Sequence, residues 1–447
     1  MFDEIAEKNG DKQWDEWRTR VLDAKDDIAT FVGTRLGANG ARYVTWHQGS
    51  FNLCLQIAFD DAPNAIIRFP GPGHTTFRDE KMEKEVQVIN FLHENTTIPI
   101  PRLISWGLTE DDNNPMGFGP FMISDFVEGT SLCTVLSDPA DIHRPYLNPD
   151  IDQKALDTVF EQIADFLLQL HQFNFSSIGS ISKTSNSWQV TGRPLTYTMN
   201  ELATTAFFPV DKFPTGPFHS AREYFDYIVQ EQLTHLQTQR NLIFSKDEAK
   251  ERYTARHLFA QLVDKYCLND DNGSFKLFCD DLRPQNMLVD PDTLRITAVL
   301  DLEFTNALPS QFASEPPWWL LLVGPDMFLY RGHTMDEFFT AYAPRLEQFL
   351  GAMQRAEKAR DVQGQQHLGE KALSDLMRES WSSKRFWFNY AARKPYDVEV
   401  LFRGALDEKT KGCIESLSPE AQAGRDDFIE TKMTQLYAYI DDCKVLL

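Results

Sequence analysis

The sequence predicts a mixed α/β protein of the α+β type, with a small N-terminal lobe built on a sheet and a larger, mainly helical C-terminal lobe. Residues 51–59 alternate between two sets of side chains with the period of a β-strand, and residues 65–69 follow a turn as a returning strand that Pro70 ends. Residues 156–170 instead place apolar side chains at the spacing of a buried helix. A Glu-Gly pair at 128–129 follows the last strand predicted for the sheet. We therefore assign residues 1–127, including an N-terminal helical extension, to the smaller lobe and residues 128–447 to the larger.

Composition and charge limit the possible classes of function. Of 447 residues, 42% are hydrophobic and 25% are charged, an ordinary globular mixture. The longest apolar run, Trp318–Val323, is too short to cross a bilayer, and residues 1–10 lack a basic and apolar leader. The net charge of −22 argues against nucleic acid as a partner. The six cysteines form no C-x-x-C pair, as expected in a reducing compartment. We expect a cytoplasmic protein with no membrane or nucleic-acid partner.

The small lobe is predicted to contain three strands and a helix. Strands at 51–59 and 65–69 are joined by a polar turn, and a further strand is predicted at 121–127. Between them lies a helix at 80–93. Its apolar stripe contains one carboxylate, Glu85. A carboxylate on an apolar face needs a cation beside it or a shifted pKa, so we expect a basic partner.

The large lobe begins with the core helix at 156–170. His171, which ends it, suits either a helix cap or a core position. Residues 181–220 are rich in Pro, Gly, Ser and Thr and too long for a simple connector, so they indicate a functional insertion whose contacts do not follow from the sequence. Two aromatic groups further on, Trp318-Trp319 and residues 381–390, suit either a ligand pocket or helix packing.

The strongest chemical signal is a predicted hairpin with polar side chains at its outer ends. Its two apolar strands are residues 287–290 and 296–300. We pair Asp290 with Thr297 across the turn. The same register places Asn286 opposite Asp301, on backbones about 4.8 Å apart, where the two side chains could share one Mg²⁺ ion. Glu303 suits metal binding, substrate binding or a turn cap.

The spacing before this hairpin is also informative. Asp281 precedes Asn286 by five residues, across a loop that Pro284 tightens. In a kinase catalytic loop an Asp accepts the proton of the substrate hydroxyl, and an Asn five residues later holds a metal ion. The sequence therefore indicates Asp281 as the general base and Asn286 and Asp301 as magnesium ligands.

In these segments the sequence resembles the aminoglycoside phosphotransferase family of kinase-like enzymes. The family motif H-G-D-L-x-x-x-N corresponds to residues 279–286, C-D-D-L-R-P-Q-N, and the motif I-D-x-E corresponds to residues 300–303, L-D-L-E. The chain is similar in particular to a fungal-type branch in which D-D-L-R-P-x-N and P-P-W-W recur, the latter at residues 316–319. The resemblance extends over residues 43–349. Cys and Asp replace the usual His and Gly, so this part of the loop must be supported differently.

The resemblance implies a two-lobed protein-kinase-like fold with ATP in the cleft. A loop over the ATP phosphates would include Gly49, Ser50 and Asn52, although a single glycine also suits an ordinary turn. The hinge, whose backbone reads the adenine edge, would comprise Ser124, Asp125, Phe126 and Val127.

A phosphate clamp is implied on the returning strand. Arg68 occupies the place where this fold usually carries a Lys that grips the phosphates and pairs with a helix Glu. Glu85 fits as that partner, with Glu83 as a second candidate. A purely structural pair between Arg68 and Glu85 is the alternative. Arginine is permanently charged and forked, so it can still bind phosphate.

We therefore expect a phosphotransferase that uses Mg²⁺ and ATP to phosphorylate a hydroxyl group of a small molecule. Aminoglycosides, choline-like amines, sugars and secondary metabolites are all compatible with the resemblance. A protein kinase is disfavoured because residues 301–303 replace D-F-G and no A-P-E segment is present. The competing hypothesis is a catalytically inactive pseudokinase that binds nucleotide or a partner, suggested by the changes at residues 279–280 and by Arg68. Retention of the three proposed catalytic and metal-binding side chains favours the enzyme.

Overall fold

The computed structural model describes residues 2–112, 114, 116–140, 145–268, 274–362, 371–407 and 414–446. Within these ranges the chain forms the expected two lobes. No helix in the described ranges combines the length and the apolar character needed to span a bilayer. The strands of the small lobe are β1 Arg42–Gln48, β2 Asn52–Ala58, β3 Ala65–Pro70, β4 Leu103–Gly107 and β5 Phe121–Asp125, and its helices are α1 Glu4–Asp23, α2 Lys25–Leu36 and α3 Arg78–Asn95.

The large lobe is mainly helical, with short strands near the cleft. Its strands are β6 Thr130–Ser131, β7 Ser180–Thr184, β8 Ser187–Gly192, β9 Lys276–Phe278, β10 Met287–Val289, β11 Ile296–Val299 and β12 Asn306–Leu308. Its α-helices are α4 Leu132–Leu136, α5 Gln153–His171, α6 Tyr197–Thr205, α7 Ala221–Thr238, α8 Lys246–Gln261, α9 Val263–Tyr266, α10 Ser310–Ala313, α11 Pro325–Tyr330, α12 Met335–Val362, α13 Leu373–Ser382, α14 Arg385–Ala392, α15 Val398–Leu401 and α16 Pro419–Leu446. Shorter helical turns are Val210–Lys212, Pro284–Asn286, Phe402–Leu406 and Ile414–Ser416.

The sheet of the small lobe is antiparallel, with strand order β1-β2-β3-β5-β4. Strands β2, β3 and β5 and helix α3 confirm the elements predicted for this lobe. The sequence did not reveal β1 or β4. Most side chains of β1 are exposed on both faces, and those of β4 are mostly half-buried. Neither strand therefore carries the apolar alternation by which strands are recognised.

The N-terminal helices belong to the core of the small lobe. Trp14 and Trp17 of α1 and Val32 of α2 are buried in one apolar cluster with Phe69 of β3. Gly71, just after β3, lies so close to α1 that a Cβ there would come within 2.0 Å of the Trp14 ring. The helices therefore cover one face of the sheet, and α1 packs tightly against the chain at the end of β3.

The core of the large lobe is built around α5, which confirms the helix predicted at residues 156–170. Helix α12 packs along it, with the rings of Phe160 and Phe349 5.3 Å apart. Of the aromatic residues whose role the sequence left open, Trp319, Phe386, Trp387, Phe388 and Tyr390 are buried in this core. They serve mainly helix packing.

The hairpin β10–β11 forms, but its predicted register is wrong by one residue. Met287 pairs with Val299 and Leu288 with Ala298, and a bulge follows before Val289 pairs with Ile296. The carbonyl of Asn286 accepts from the N–H of Leu300 at 2.8 Å, so Asn286 lies opposite Leu300 and not Asp301. The turn explains the difference. The carboxylate of Asp290 caps it by accepting two backbone N–H groups at 3.0 Å, so Asp290 does not pair with Thr297.

The insertion at residues 181–220 joins the two lobes. It contains most of the hairpin β7–β8 and helix α6. The Asn200 side chain on α6 accepts from the N–H of Thr76 at 3.1 Å and donates to the carbonyl of His74 at 3.0 Å, both in the segment between β3 and α3. The contacts that the sequence left open are thus contacts with the small lobe.

Candidate functional site

Two cavities adjoin in the cleft between the lobes. The sheet-side cavity, of about 240 Å³, lies between the sheet and residues 299–302. The loop-side cavity, of about 290 Å³, lies beside residues 49–52 and faces the large lobe. Residues that line both cavities include Gly49, Asn52, Asn286 and Asp301. The cavities therefore meet at side chains that the sequence proposed for phosphate and metal binding.

Asp281 lines the loop-side cavity and is held from two sides. The short helical turn that begins at Pro284 folds the chain back, so that the Asn286 amide donates to Asp281 Oδ2 at 2.7 Å and to the Asp281 carbonyl at 3.0 Å. Arg283 Nε lies 2.6 Å from Asp281 Oδ1. Burial raises the pKa of Asp281, although Arg283 and Asn286 oppose this shift. The result is a carboxylate fixed in orientation and made more basic than usual.

The predicted catalytic loop is supported at the positions where Cys279 and Asp280 depart from the family motif. The Trp318 indole N–H donates to the carbonyl of Asp280 at 3.1 Å. Arg393 Nε lies 3.2 Å from Asp280 Oδ1, while its two terminal nitrogens donate to Glu315 at 2.8 and 3.1 Å. Trp318 and Arg393 therefore brace the loop from the large lobe. Sequence reasoning left the role of Trp318 open and missed Arg393.

Asp301 has the features of a metal ligand. It follows β11 with a φ of +60°, a left-handed conformation that is uncommon for residues other than glycine and is concentrated at functional sites. Its Oδ1 atom is buried and accepts no hydrogen bond from the described residues. Arg68 Nη1 lies 3.7 Å away. Burial and the nearby Glu303 carboxylate raise the pKa of Asp301 well above its usual range. Such an oxygen is suited to a cation.

Asn286 and Asp301 together fit a magnesium ion. The turn at Asp301 brings its side chain to the cavity junction even though it does not lie opposite Asn286 in the hairpin. Within the described residues no group of three or more His, Cys, Asp or Glu side chains is placed to hold a metal. Two protein ligands are typical of Mg²⁺ sites in proteins, where phosphate oxygens and water molecules complete the octahedral coordination.

The ion pair expected between Arg68 and Glu85 is present. Arg68 on β3 faces α3 and donates to the Glu85 carboxylate, and its Nη2 also lies 3.8 Å from the Met122 sulfur. Burial lowers the pKa of Arg68, but the carboxylates of Glu85, Asp301 and Glu303 together outweigh this effect, so the pKa is raised overall. Glu83, the second candidate, is exposed. Both members of the pair line the sheet-side cavity.

A second buried ion pair, missed from the sequence, lies one helical turn earlier on α3. Lys81, Asn52 and Glu303 are 3%, 7% and 5% exposed. Lys81 Nζ forms an ion pair with Glu303 and donates to Asn52 Oδ1 at 3.0 Å, and Asn52 Nδ2 donates to Glu303 Oε2 at 3.0 Å. We call these three residues the Lys81 network. Asn52, expected at the phosphates, has its side chain in this network, and Glu303 is held here rather than capping a turn.

The loop predicted to cover the phosphates is the tip of the β1–β2 hairpin. The N–H of Gly49 donates to the carbonyl of Asn52 at 3.0 Å, and the carbonyl of Ser50 lies 3.1 Å from Nδ1 of His74. No described atom lies within 4 Å of a Cβ built at Gly49, so packing does not require glycine there. The loop lies over the junction of the two cavities.

The predicted hinge is only partly open to a ligand. Ser124 lines the sheet-side cavity. The N–H of Asp125 donates to the carbonyl that precedes β4, and the N–H of Phe126 donates to the carbonyl that precedes β3, both at 3.1 Å. These two donors are therefore occupied by the backbone. Adenine recognition here would use other backbone groups of the segment, including those of Val127.

Aromatic side chains form much of the wall of the loop-side cavity. They come from the loop over the junction, the insertion, α7, β9 and the segments that flank β12. They are Phe51, Tyr197, Tyr224, Tyr227, Phe278, Phe304 and Trp318. Tyr197 shows that the insertion contributes to this wall as well as to the contact between the lobes.

One carboxylate in this wall has no cationic partner. Glu231 on α7 is 5% exposed and accepts a hydrogen bond from the Tyr227 hydroxyl. No basic side chain of the described residues forms an ion pair with it. Burial raises the pKa of Glu231 to about 7. The side chain therefore changes charge near neutral pH, inside the cavity.

Glu231→Gln is expected to raise the melting temperature at pH 8 and to change it little at pH 5. Because the folded protein favours the protonated carboxyl, stability falls as pH rises from the usual value of 4.5 to about 7. Glutamine removes this cost, up to about 3 kcal/mol at pH 8, and still accepts from Tyr227. Thermal denaturation at both pH values measures the effect, with Glu223→Gln at an exposed position of the same helix as control. Equal shifts at both pH values would contradict the expectation.

Known proteins resemble this chain in sequence over part of its length. A family model described as "Phosphotransferase enzyme family" matches residues 58–307. A curated relative, the altered inheritance of mitochondria protein 9 of Candida tropicalis, is 25% identical over 138 residues. That match covers 30% of this chain and 20% of the relative, so it spans a fifth of that protein.

Solved structures align with most of the chain but superimpose loosely. A Ralstonia eutropha protein classed as an aminoglycoside phosphotransferase is 13% identical with a TM-score of 0.45, and the alignment covers 92% of this chain and 98% of that one. A Plasmodium vivax ethanolamine kinase is 12% identical with a TM-score of 0.42, covering 91% and 83%. A macrolide 2'-phosphotransferase is 12% identical with a TM-score of 0.41, covering 90% and 95%.

Proposed function

This chain belongs to the phosphotransferase enzyme family, and we propose that it transfers a phosphoryl group from Mg·ATP to a hydroxyl group of a small molecule. The observation that carries the proposal is the convergence of Asp281, Asn286 and Asp301 beside the junction of two cavities. In this proposal the sheet-side cavity receives the nucleotide, and the loop-side cavity receives the acceptor. A volume of about 290 Å³ suits a small molecule.

Asp281 acts as the general base on the acceptor. Its carboxylate takes the proton of the acceptor hydroxyl as the oxygen attacks the γ-phosphorus. Asn286 contacts one oxygen of the carboxylate and Arg283 the other, so the acceptor hydroxyl meets a base whose orientation is fixed. The raised pKa of Asp281 supports this role, because a more basic carboxylate holds the transferred proton better.

Asn286 and Asp301 would hold Mg²⁺, which when bound supplies positive charge against the phosphate oxygens. The buried Oδ1 of Asp301, which accepts no hydrogen bond from the described residues, supports the assignment. The amide nitrogen of Asn286 is engaged by Asp281. This leaves the amide oxygen as the metal ligand.

The nucleotide is oriented by the small lobe. Arg68, supported by Glu85, contacts the phosphates from the sheet-side cavity. Gly49 and Ser50 approach the phosphates through the loop over the junction, and Asn52 ends that loop. The segment Ser124–Val127 contacts the adenine edge through those of its backbone groups that the sheet does not use.

The support of the catalytic loop favours an enzyme over an inactive nucleotide-binding protein. The changed residues at 279–280 are the main sequence argument for a pseudokinase. Trp318 and Arg393 brace the loop at Asp280, so the departure from the family motif is accompanied by its own support. A pure binding module has no need for an oriented base beside a buried metal-binding oxygen.

A screen of hydroxylated metabolites for acceptor-dependent consumption of ATP tests the proposal. At least one acceptor is expected to raise ATP consumption above the rate with water alone, and the phosphorylated product should appear in equal amount by mass spectrometry. The same compound should have no effect on Asp281→Asn. If the wild-type protein bound Mg·ATP tightly and phosphorylated no compound of a broad panel, the pseudokinase hypothesis would replace the enzyme.

A further inference from the structure

Helix α3 carries two buried, opposite charges beside the cleft, and the proposed mechanism uses only one of them. Glu85 supports Arg68, whereas Lys81, four residues earlier, has no assigned role. Residues at this spacing lie on the same face of a helix. Lys81 pairs with Glu303, which follows the proposed metal ligand Asp301 by two residues. One helix therefore contacts both the phosphate clamp and the metal-binding segment.

The Lys81 network is closed and shielded from solvent. Each of its three members bonds to the other two. The rings of Phe51 and Phe304 lie 5.5 and 5.6 Å from Lys81 Nζ and cover the ammonium group. A buried network of this kind permits one arrangement of its members, because any shift leaves a charged group unpaired.

The charges around Asp301 require this lysine. Three carboxylates, those of Glu85, Asp301 and Glu303, lie near two cations, Arg68 and Lys81. Arg68 is bonded to Glu85 and approaches Asp301 only to 3.7 Å. Among the described residues, Lys81 is the cation in ion-pair contact with Glu303. Without Lys81, the Glu303 carboxylate would lie buried beside the metal-binding segment with only Asn52 to hold it.

We propose that Lys81 is a positioning residue for the metal site. It holds Glu303 away from the metal-binding oxygen of Asp301 and, through Asn52, ties the end of the phosphate loop to the same segment. The inference rests on the proposed function, because it assumes a metal at Asp301. Lys81 acts through Glu303 and Asn52. It does not line either of the two cavities, whereas both of its partners line the loop-side cavity.

Calorimetric titration of the full-length protein with ATP, in Mg²⁺ and in EDTA, tests the proposal without need of an acceptor. Lys81→Met is expected to weaken Mg·ATP binding by about tenfold or more, as for loss of a group that orients a metal ligand. Binding of metal-free ATP should change less than about threefold. A protein that was merely destabilised would lose both affinities alike. Unchanged Mg·ATP affinity in Lys81→Met would overturn the proposal.

Two further variants keep the result interpretable. Lys84→Met is the control. Lys84 is a partly buried lysine of the same helix that pairs with Glu80, away from the Lys81 network, so its loss should leave the affinities for Mg·ATP and for metal-free ATP unchanged. The double variant Lys81→Met with Glu303→Gln removes both charges. It should recover most of the Mg·ATP affinity lost in Lys81→Met, because Glu303 is then neutral. If Lys81→Met fails to fold, the double variant must still bind Mg·ATP within about threefold of wild type. A tenfold loss there would contradict the proposal.

The test separates failure of this inference from failure of the proposed function. Mg·ATP binding requires no turnover, so the expected pattern of affinities holds for an active or an inactive protein. If the wild-type protein bound ATP equally well in Mg²⁺ and in EDTA, the metal site and the inference would both be refuted. A Mg²⁺-dependent wild type with an unaffected Lys81→Met variant would refute the inference alone.

Discussion

Asp281→Asn is expected to slow phosphoryl transfer by a factor of about 10² to 10⁴ while leaving Mg·ATP affinity within about threefold of wild type. In the proposed mechanism this carboxylate, which lines the loop-side cavity, acts on the acceptor proton, so its loss should not weaken nucleotide binding. Asparagine has the same shape and can still accept the hydrogen bond from Asn286. The loop should therefore keep its conformation, and the loss should appear in kcat.

Acceptor-dependent ATP consumption and calorimetry on the same preparation check this expectation. Asp292→Asn, at an exposed position in the turn of the nearby hairpin, makes the same chemical change away from the cleft and should have wild-type activity. Near-wild-type turnover in Asp281→Asn would exclude a general-base role. A loss of nucleotide affinity equal to the loss of rate would indicate instead that Asp281 helps to bind the metal.

Asp301→Ala is expected to reduce transfer by about 10³-fold or more and to remove most of the Mg²⁺ dependence of nucleotide binding. The variant deletes the buried oxygen that we assign to the metal. Asp301→Asn is the companion, because asparagine tolerates the left-handed backbone at this position better than alanine. Loss of Mg²⁺ dependence in both variants would point to the side chain rather than to backbone strain.

Stability should respond to Asp301→Asn in the opposite direction to activity. The pKa of Asp301 is raised by burial and by Glu303, so the ionised carboxylate costs stability once the pH exceeds its usual value of 3.8. At pH 8 the neutral amide should melt no lower than wild type. Unchanged Mg·ATP affinity in Asp301→Ala would remove Asp301 from the metal site, whatever the effect on rate.

The sequence predicted the elements that carry strong local patterns. Alternation revealed β2, the turn before residue 65 and the Pro and Gly residues from 70 onward revealed β3, and helical spacing revealed α3 and α5. The five-residue interval between Asp281 and Asn286 is fixed by the geometry of a single loop, so it could be interpreted without knowing the fold. Strand β1 has no such pattern, because both of its faces are largely exposed.

The hairpin register failed for a local physical reason. Pairing by symmetry about the turn assumed that Asp290 belonged to the strand. In the structure its carboxylate instead caps the turn, and Leu294 adopts a left-handed conformation with φ of +57°. A bulge between Leu288 and Val289 shifts the register again, and the pairs of Leu288 and Met287 beyond it remain one residue from the predicted pairing. Side-chain capping competes with strand pairing, and the sequence alone does not show which prevails.

Contacts between distant parts of the chain were the other source of error. In the sequence Lys81 is an ordinary lysine of a predicted helix, and its contact with Glu303 forms only when the chain folds. Arg393 follows an aromatic helical segment and has no distinctive sequence pattern, yet its guanidinium contacts the Asp280 carboxylate. In both cases the partners are set by tertiary packing, and neither residue type nor spacing carries the information.

Trp14 and Trp17 pack against the sheet, so the N-terminal helices belong to the folding unit of the small lobe. They nevertheless lie outside the segment that matches the family model. The match to the family model begins at residue 58, after most of β2. A fragment cut at that boundary would lose α1, α2, β1 and nearly all of β2 and would open to water the face of β3 that carries Ile67 and Phe69. Expression of the shared segment alone should therefore yield aggregates. The scaffold that makes the small lobe stable therefore includes residues outside the segment that matches the family model.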